Sequence, residues 1–100
     1  MTSVIVLPRA ERNLENIEEH IALDNPHRAL TFVQELRLHC QDLTAFPRKG
    51  SPFPTRKSHI RRLVHGNYLI FYRYRESQDT VFIIRVAEHH QDHSRIVFED

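Results

Sequence analysis

Eight Lys and Arg side chains (Arg48, Lys49, Arg56, Lys57, Arg61, Arg62, Arg73 and Arg75) fall within residues 48–75, a stretch with no Asp or Glu. The whole chain is nearly neutral, with 14 basic against 13 acidic residues, so charge is segregated along it and not in excess. Such a segment needs an anionic counterpart or abundant water. Phosphate is one counterpart: four phosphate contacts would make binding fall about a hundredfold for a fourfold rise in salt. An acidic protein surface is a second, and a solvated basic face paired with Glu residues elsewhere is a third. Tyr68, Tyr72 and Tyr74 have faces on which bases can stack, but they alternate along a strand-like run where aromatic side chains also simply pack.

Acid–base chemistry is the next possibility. Cleaving RNA needs a base for the 2′-hydroxyl, an acid for the leaving oxygen and cations for the phosphate. Arg61, Arg73 and Arg85 supply cations; His59, His65, His89 and His90 supply groups that exchange protons near neutral pH. No spacing singles out a pair among them. The arginines lie on strand-like segments and meet only if the register allows it. His89-His90-x-x-His93 with Asp92 offers metal-ligand types, yet its spacing fits no defined site, so these read as surface histidines and no metal is expected. Cys40 sits on an apolar helical stripe and reads as a core residue, not a nucleophile.

The elements that must position these side chains follow from periodicity. Ser3–Leu7 is a short β-branched run stopped by Pro8 and reads as a buried strand. Ala10, Leu14, Ile17 and Ile21 then recur at four, three and four, one face of a helix that Pro8 or Arg9 can open. Asp24-Asn25-Pro26 breaks and restarts the chain, with Asn25 as cap and Pro26 at the first helical position. Ala29, Phe32, Val33, Leu36, Cys40 and Leu43 form the second stripe, ended by Phe46-Pro47. The short break predicts an antiparallel helical hairpin. Residues 47–59 hold three Pro, one Gly and four basic residues and read as a stiff loop. Strands are predicted at Ile60–Val64, Asn67–Arg75 and Thr80–Ala87, joined by a tight turn at Gly66 and a polar one over Glu76–Asp79. In the last of these, alternation puts Phe82, Ile84 and Val86 on one face and Val81, Ile83, Arg85 and Ala87 on the other. Both faces are partly apolar, so the strand is expected to be central. The order strand, helix, helix, strand, strand, strand implies an α+β fold: an N-terminal strand and a two-helix hairpin on one face of a mainly antiparallel sheet, completed by three C-terminal strands.

One hundred residues suit a single domain over 1–100, with a tail over 89–100 of undetermined structure. Burying Ile96, Val97 and Phe98 of that tail would stabilise it by roughly 5 kcal/mol before ordering costs. One cysteine permits no internal disulfide and favours a reducing compartment. No apolar run is long enough to span a membrane, and the N-terminus lacks the features of a signal peptide. A cytoplasmic protein without membrane attachment is expected.

Taken together, Ala10-x-x-x-Leu14-x-x-Ile17-x-x-x-Ile21, Asn25-Pro26-x-x-Ala29-x-x-Phe32-x-x-x-Leu36, Leu43-x-x-Phe46-Pro47-x-x-Gly50, Arg62, Tyr68-Leu69-Ile70-Phe71-Tyr72-Arg73 and Ile84-Arg85-Val86 resemble the ParE branch of the RelE/ParE toxin superfamily. These pieces span nearly the whole chain in family order. The resemblance implies a toxin of a bacterial type II toxin–antitoxin module that binds DNA gyrase without a catalytic centre, cofactor or small-molecule substrate. It also implies a cognate antitoxin, ParD-like or another DNA-binding protein, that wraps an acidic segment around the toxin in a hetero-oligomer. The partner-binding residues expected on this basis are Arg56, Lys57, Arg61, Arg62, Tyr68, Tyr72, Arg73 and Arg85. The alternative is a ribosome-dependent mRNA endonuclease of the RelE type, using Arg61, Arg73 and Arg85 on the phosphate and His65 or His89 in proton transfer. This chain departs from the family where Glu88 stands at a position commonly His and Gln91 at one commonly Arg. It also lacks any Tyr after Tyr74, which weakens the nuclease alternative.

Overall fold

The computed structural model describes residues 1–54 and 59–89. The elements run β1 (Ser3–Val6), α1 (Pro8–Ala22), α2 (Pro26–Gln41), a 3₁₀ turn (Asp42–Thr44), β2 (Ser51–Pro52), β3 (Ile60–His65), β4 (Tyr68–Arg75), a second 3₁₀ turn (Glu76–Gln78) and β5 (Thr80–Glu88). Proline opens both helices, where its missing N–H costs nothing. The Asn25 side chain accepts from the Arg28 N–H at 3.0 Å and caps α2 as its sequence position predicts. Arg37 of α2 grips Glu11 of α1 through two bonds of 2.9 and 2.8 Å, and this partner holds the Glu11 carboxyl below its ordinary pKa. Arg56, Lys57, His90, Gln91, Asp92, His93, Ile96, Val97 and Phe98 lie outside the described residues.

The five strands lie in the order β1-β5-β4-β3-β2. β1 runs parallel to β5; the other neighbours are antiparallel. β5 has a partner on both sides, as its two apolar faces imply. β1 differs from its reading as a buried strand. It is an edge strand with alternating burial, Val4 and Val6 meeting the core while Ile5 stays exposed. β2 is an addition: two residues of the stretch read as loop pair with Arg61 and Arg62 of β3.

The helix-side core joins Ala10, Leu14 and Ile17 of α1, Val33, Leu36 and Cys40 of α2, and Leu63, Ile70, Tyr72, Val81, Ile83 and Val86 of the sheet. Cys40 is buried here, and burial pushes its thiol up to about 11. A second cluster, Ile60, Leu69, Phe71 and Ile84 with Leu7, Phe53 and Ala87 against it, occupies the other sheet face. β5 switches phase on its way between them. Tyr72 pairs with Ile83 but Phe71 with Arg85, which leaves Ile84 as a bulge without a partner. The simple alternation expected for β5 is thereby corrected. Val81, Ile83 and Val86 face the helices; Phe82, Ile84, Arg85 and Ala87 face away.

Candidate functional site

Register decides which basic side chains share a surface. Directly paired residues of neighbouring strands lie on the same face. Arg62 of β3 pairs with Phe71 of β4, and Phe71 pairs with Arg85 of β5, so one rung across three strands reads Arg62–Phe71–Arg85. The next rung on that face is Ile60–Arg73–Phe82, and the one on the other side is Val64–Leu69–Ala87. The face away from the helices thus carries three arginines around an apolar centre. The bulge at Ile84 is what puts Arg85 into this group. Phe53, next to β2, packs edge-on against Phe71 at 5.0 Å between ring centroids, and the Arg62 guanidinium lies 5.7 Å from the Phe53 ring. Arg73 is buried at 7% exposure, Val64 is open at 57%, and Arg62 and Arg85 fall between.

A second concavity flanks this face where β3 begins and β4 ends. It has a volume of about 520 Å³ and is lined by Arg48, Phe53, His59, Arg61, Arg73, Tyr74, Arg75 and Glu76, among others. Arg48 spans its rim, with one nitrogen 3.1 Å from Glu76 and its guanidinium 5.0 Å from the centre of the Tyr74 ring. Four of the eight basic residues singled out from the sequence therefore converge on one cavity holding a single described carboxylate.

The remaining predicted residues divide. Arg61 pairs with Tyr72, so it lies on the helix side, and it donates to the Gly50 carbonyl at 2.7 Å and the Arg48 carbonyl at 3.3 Å. Tyr72 is fully buried and Tyr68 is 9% exposed, both in the helix-side core. Neither ring offers a stacking platform, and Tyr72 is corrected from surface residue to internal support. Burial raises its pKa. His65 ends β3 on the helix side with its Nδ1 2.9 Å from that of His39. His89 donates its backbone N–H to the Asn67 carbonyl at 2.7 Å. Of the residues expected of a nuclease, Arg61 and His65 lie on the helix side of the sheet and Arg73 and Arg85 on the other, with Arg61 and Arg73 both reaching the cavity at the end of β4. Among the described residues, no three His, Cys, Asp or Glu side chains are grouped to hold a metal ion, and no helix is long and apolar enough to cross a membrane.

The family model of the ParE toxin of the type II toxin–antitoxin system, parDE, matches residues 4–93. This chain belongs to the ParE toxin family. It is a toxin of the RelE/ParE superfamily, with the α+β fold its solved relatives share. The chromosomal ParDE system of P. aeruginosa contains a chain 21% identical to it, with a TM-score of 0.75, matched over 88% of this chain and 96% of that one. The RelBE2 toxin–antitoxin complex of Mycobacterium tuberculosis gives 21% identity and a TM-score of 0.68 over 87% and 96%. The intact E. coli RelBE complex gives 13% and 0.65 over 91% and 100%. No curated protein matches the chain.

In this ParE-family toxin, three residues outside the expected partner-binding set shape the cationic surface. Gly50 donates its N–H to the Tyr72 hydroxyl at 2.8 Å. A Cβ there would stand 2.6 Å from the Arg62 carbonyl oxygen, so the loop passes closer than any other residue permits. Phe53 supplies the aromatic wall, and Arg48 bridges to Glu76. The single glycine in a stiff, Pro-rich basic loop was the available signal for close backbone approach.

Proposed function

We propose that this toxin acts by binding DNA gyrase in the cytoplasm and holding it with cleaved DNA, without breaking bonds of its own. A cognate antitoxin, ParD-like or another DNA-binding protein with an acidic segment, neutralises it in a hetero-oligomer. The observation that carries this reading is the Arg62–Phe71–Arg85 rung. Phe71 itself is fully buried, so what the rung offers a partner is the two half-buried arginines on either side of it, whose charge gives orientation and association rate. His65 and Arg85 lie on opposite faces of the sheet and outside the cavity that Arg61 and Arg73 share, which supports the same reading, because general acid–base chemistry needs its groups around one reacting phosphate.

Purified folded toxin, free of antitoxin, is expected to inhibit gyrase supercoiling at low salt and to accumulate cleaved DNA. Absence of both effects would count against the proposal. Site-specific mRNA cuts on translating ribosomes, seen by primer extension, would replace it with the RelE-type nuclease. Loss of those cuts in His65→Ala or His89→Ala would then identify the proton-transfer group.

A further inference from the structure

Outside the cationic face, two histidines meet head-on. His39 lies in the last turn of α2 and His65 is the final residue of β3, immediately before the turn that Gly66 makes with φ +57°. Their Nδ1 atoms are 2.9 Å apart and their ring centroids 5.1 Å apart, so the rings point at each other nearly in line. That is the geometry of an N–H···N hydrogen bond. Two imidazoles converging on a shared cation would instead angle toward a point off the line between them. Phe32 of α2 abuts the His65 ring edge-on at 5.6 Å and the Tyr68 ring at the same distance, so the contact sits in an aromatic cluster between helix and hairpin.

We propose that His39 and His65 form a proton-gated latch between the C-terminal turn of α2 and the β3–β4 hairpin. The bond needs one Nδ1 with a proton and one without. Two neutral rings in complementary tautomers meet that condition. A pair carrying one extra proton also meets it in hydrogen-bond count, but burial and Lys49 oppose the added charge. A second extra proton leaves two N–H groups and two positive charges facing each other, and the latch opens.

The charged and titratable groups around the pair come from each packed element: Glu35 on α2, Asp42 in the 3₁₀ turn, Lys49 in the loop beyond, and the neutral Tyr68 phenol on β4. Glu35 is tied to Arg28. Burial, the His65 ring and Lys49 lower the His39 pKa, and Asp42 works against them. A histidine with a lowered folded-state pKa contributes stability that is complete above its ordinary value of about 6.5 and is lost as pH falls below it. The latch is therefore closed at neutral pH and opens in mild acid. The proton is the only ligand required.

Nuclear magnetic resonance of the intact wild-type chain, titrated from pH 8 to pH 4.5, tests this directly. The ring signals of His39 and His65 are expected to move together as the pH falls, because one bond joins the two nitrogens. Amide exchange at residues 39–41 and 65–67, corrected for intrinsic rate, is expected to be measurably faster at pH 5 than at pH 7. In His65→Gln, whose amide can bond to His39 but cannot take a second charge, the exchange difference is expected to shrink, with burial and Lys49 still acting on His39. Ring signals of His39 and His65 that move independently in the wild type, or equal protection at both pH values, would overturn the latch. The wild-type titration decides the matter even if His65→Gln does not fold.

Discussion

Gly50, Tyr72 and Arg61 tie the basic loop to the sheet from below. The loop N–H at Gly50 ends on a buried phenol, and the loop carbonyls at Arg48 and Gly50 end on a guanidinium. Tyr72→Phe would leave a buried N–H without its acceptor and is expected to destabilise the fold by about 1–3 kcal/mol. Gly50→Ala must displace the Arg62 carbonyl or the Tyr72 ring and is expected to cost at least about as much. Urea denaturation of both variants checks the two values; wild-type midpoints would contradict the tie. At this scale the sequence was only half readable. It offered an alternating Tyr-x-x-x-Tyr-x-Tyr run and a set of arginines. It could not say which of them faced inward, because that depends on strand register, and register depends on residues far away in the chain. Arg61 and Arg62 are neighbours in sequence but lie on opposite sides of the sheet.

Helices and long strands were legible because their signals are local. Pro8, Asn25 and Pro26 mark helix starts, and the four-three-four spacing of Ala10, Leu14, Ile17 and Ile21 marks a face; the first three of these residues are buried. Asn25→Ala removes the cap of α2 and is expected to cost about 1 kcal/mol, read as a lower thermal midpoint. Two features were not legible. β2 is two residues long and contains Pro52, which is acceptable only because it lies at the sheet edge. The bulge at Ile84 is a mismatch in count between β4 and β5, invisible when β5 is read alone. The site depends on it: without that extra residue Arg85 would turn toward α1, away from Arg62.

Across the whole molecule, the segregated charge that leads the sequence becomes a surface. Arg62, Arg73 and Arg85 share the face away from the helices, and Arg48, Arg61, Arg73 and Arg75 line the neighbouring cavity. Association with an acidic partner through such a surface is expected to slow steeply with salt, with on-rates dropping about tenfold or more from low to physiological ionic strength. Stopped-flow mixing with the antitoxin measures this, and a salt-independent on-rate would contradict it. The family was legible at this scale although no single motif was decisive, because weak pieces in the right order span most of the 100 residues. The target was not legible, because a fold alone does not fix which macromolecule its cationic face meets.

Equilibrium binding of antitoxin-free toxin to purified gyrase, compared between wild type and the double variant Arg62→Ala/Arg85→Ala, bears most directly on the claim that this face works by adhesion. The wild type is expected to bind, and the folded double variant to bind at least about tenfold more weakly, equivalent to about 1.4 kcal/mol. Equal affinity of the two proteins for gyrase would contradict it.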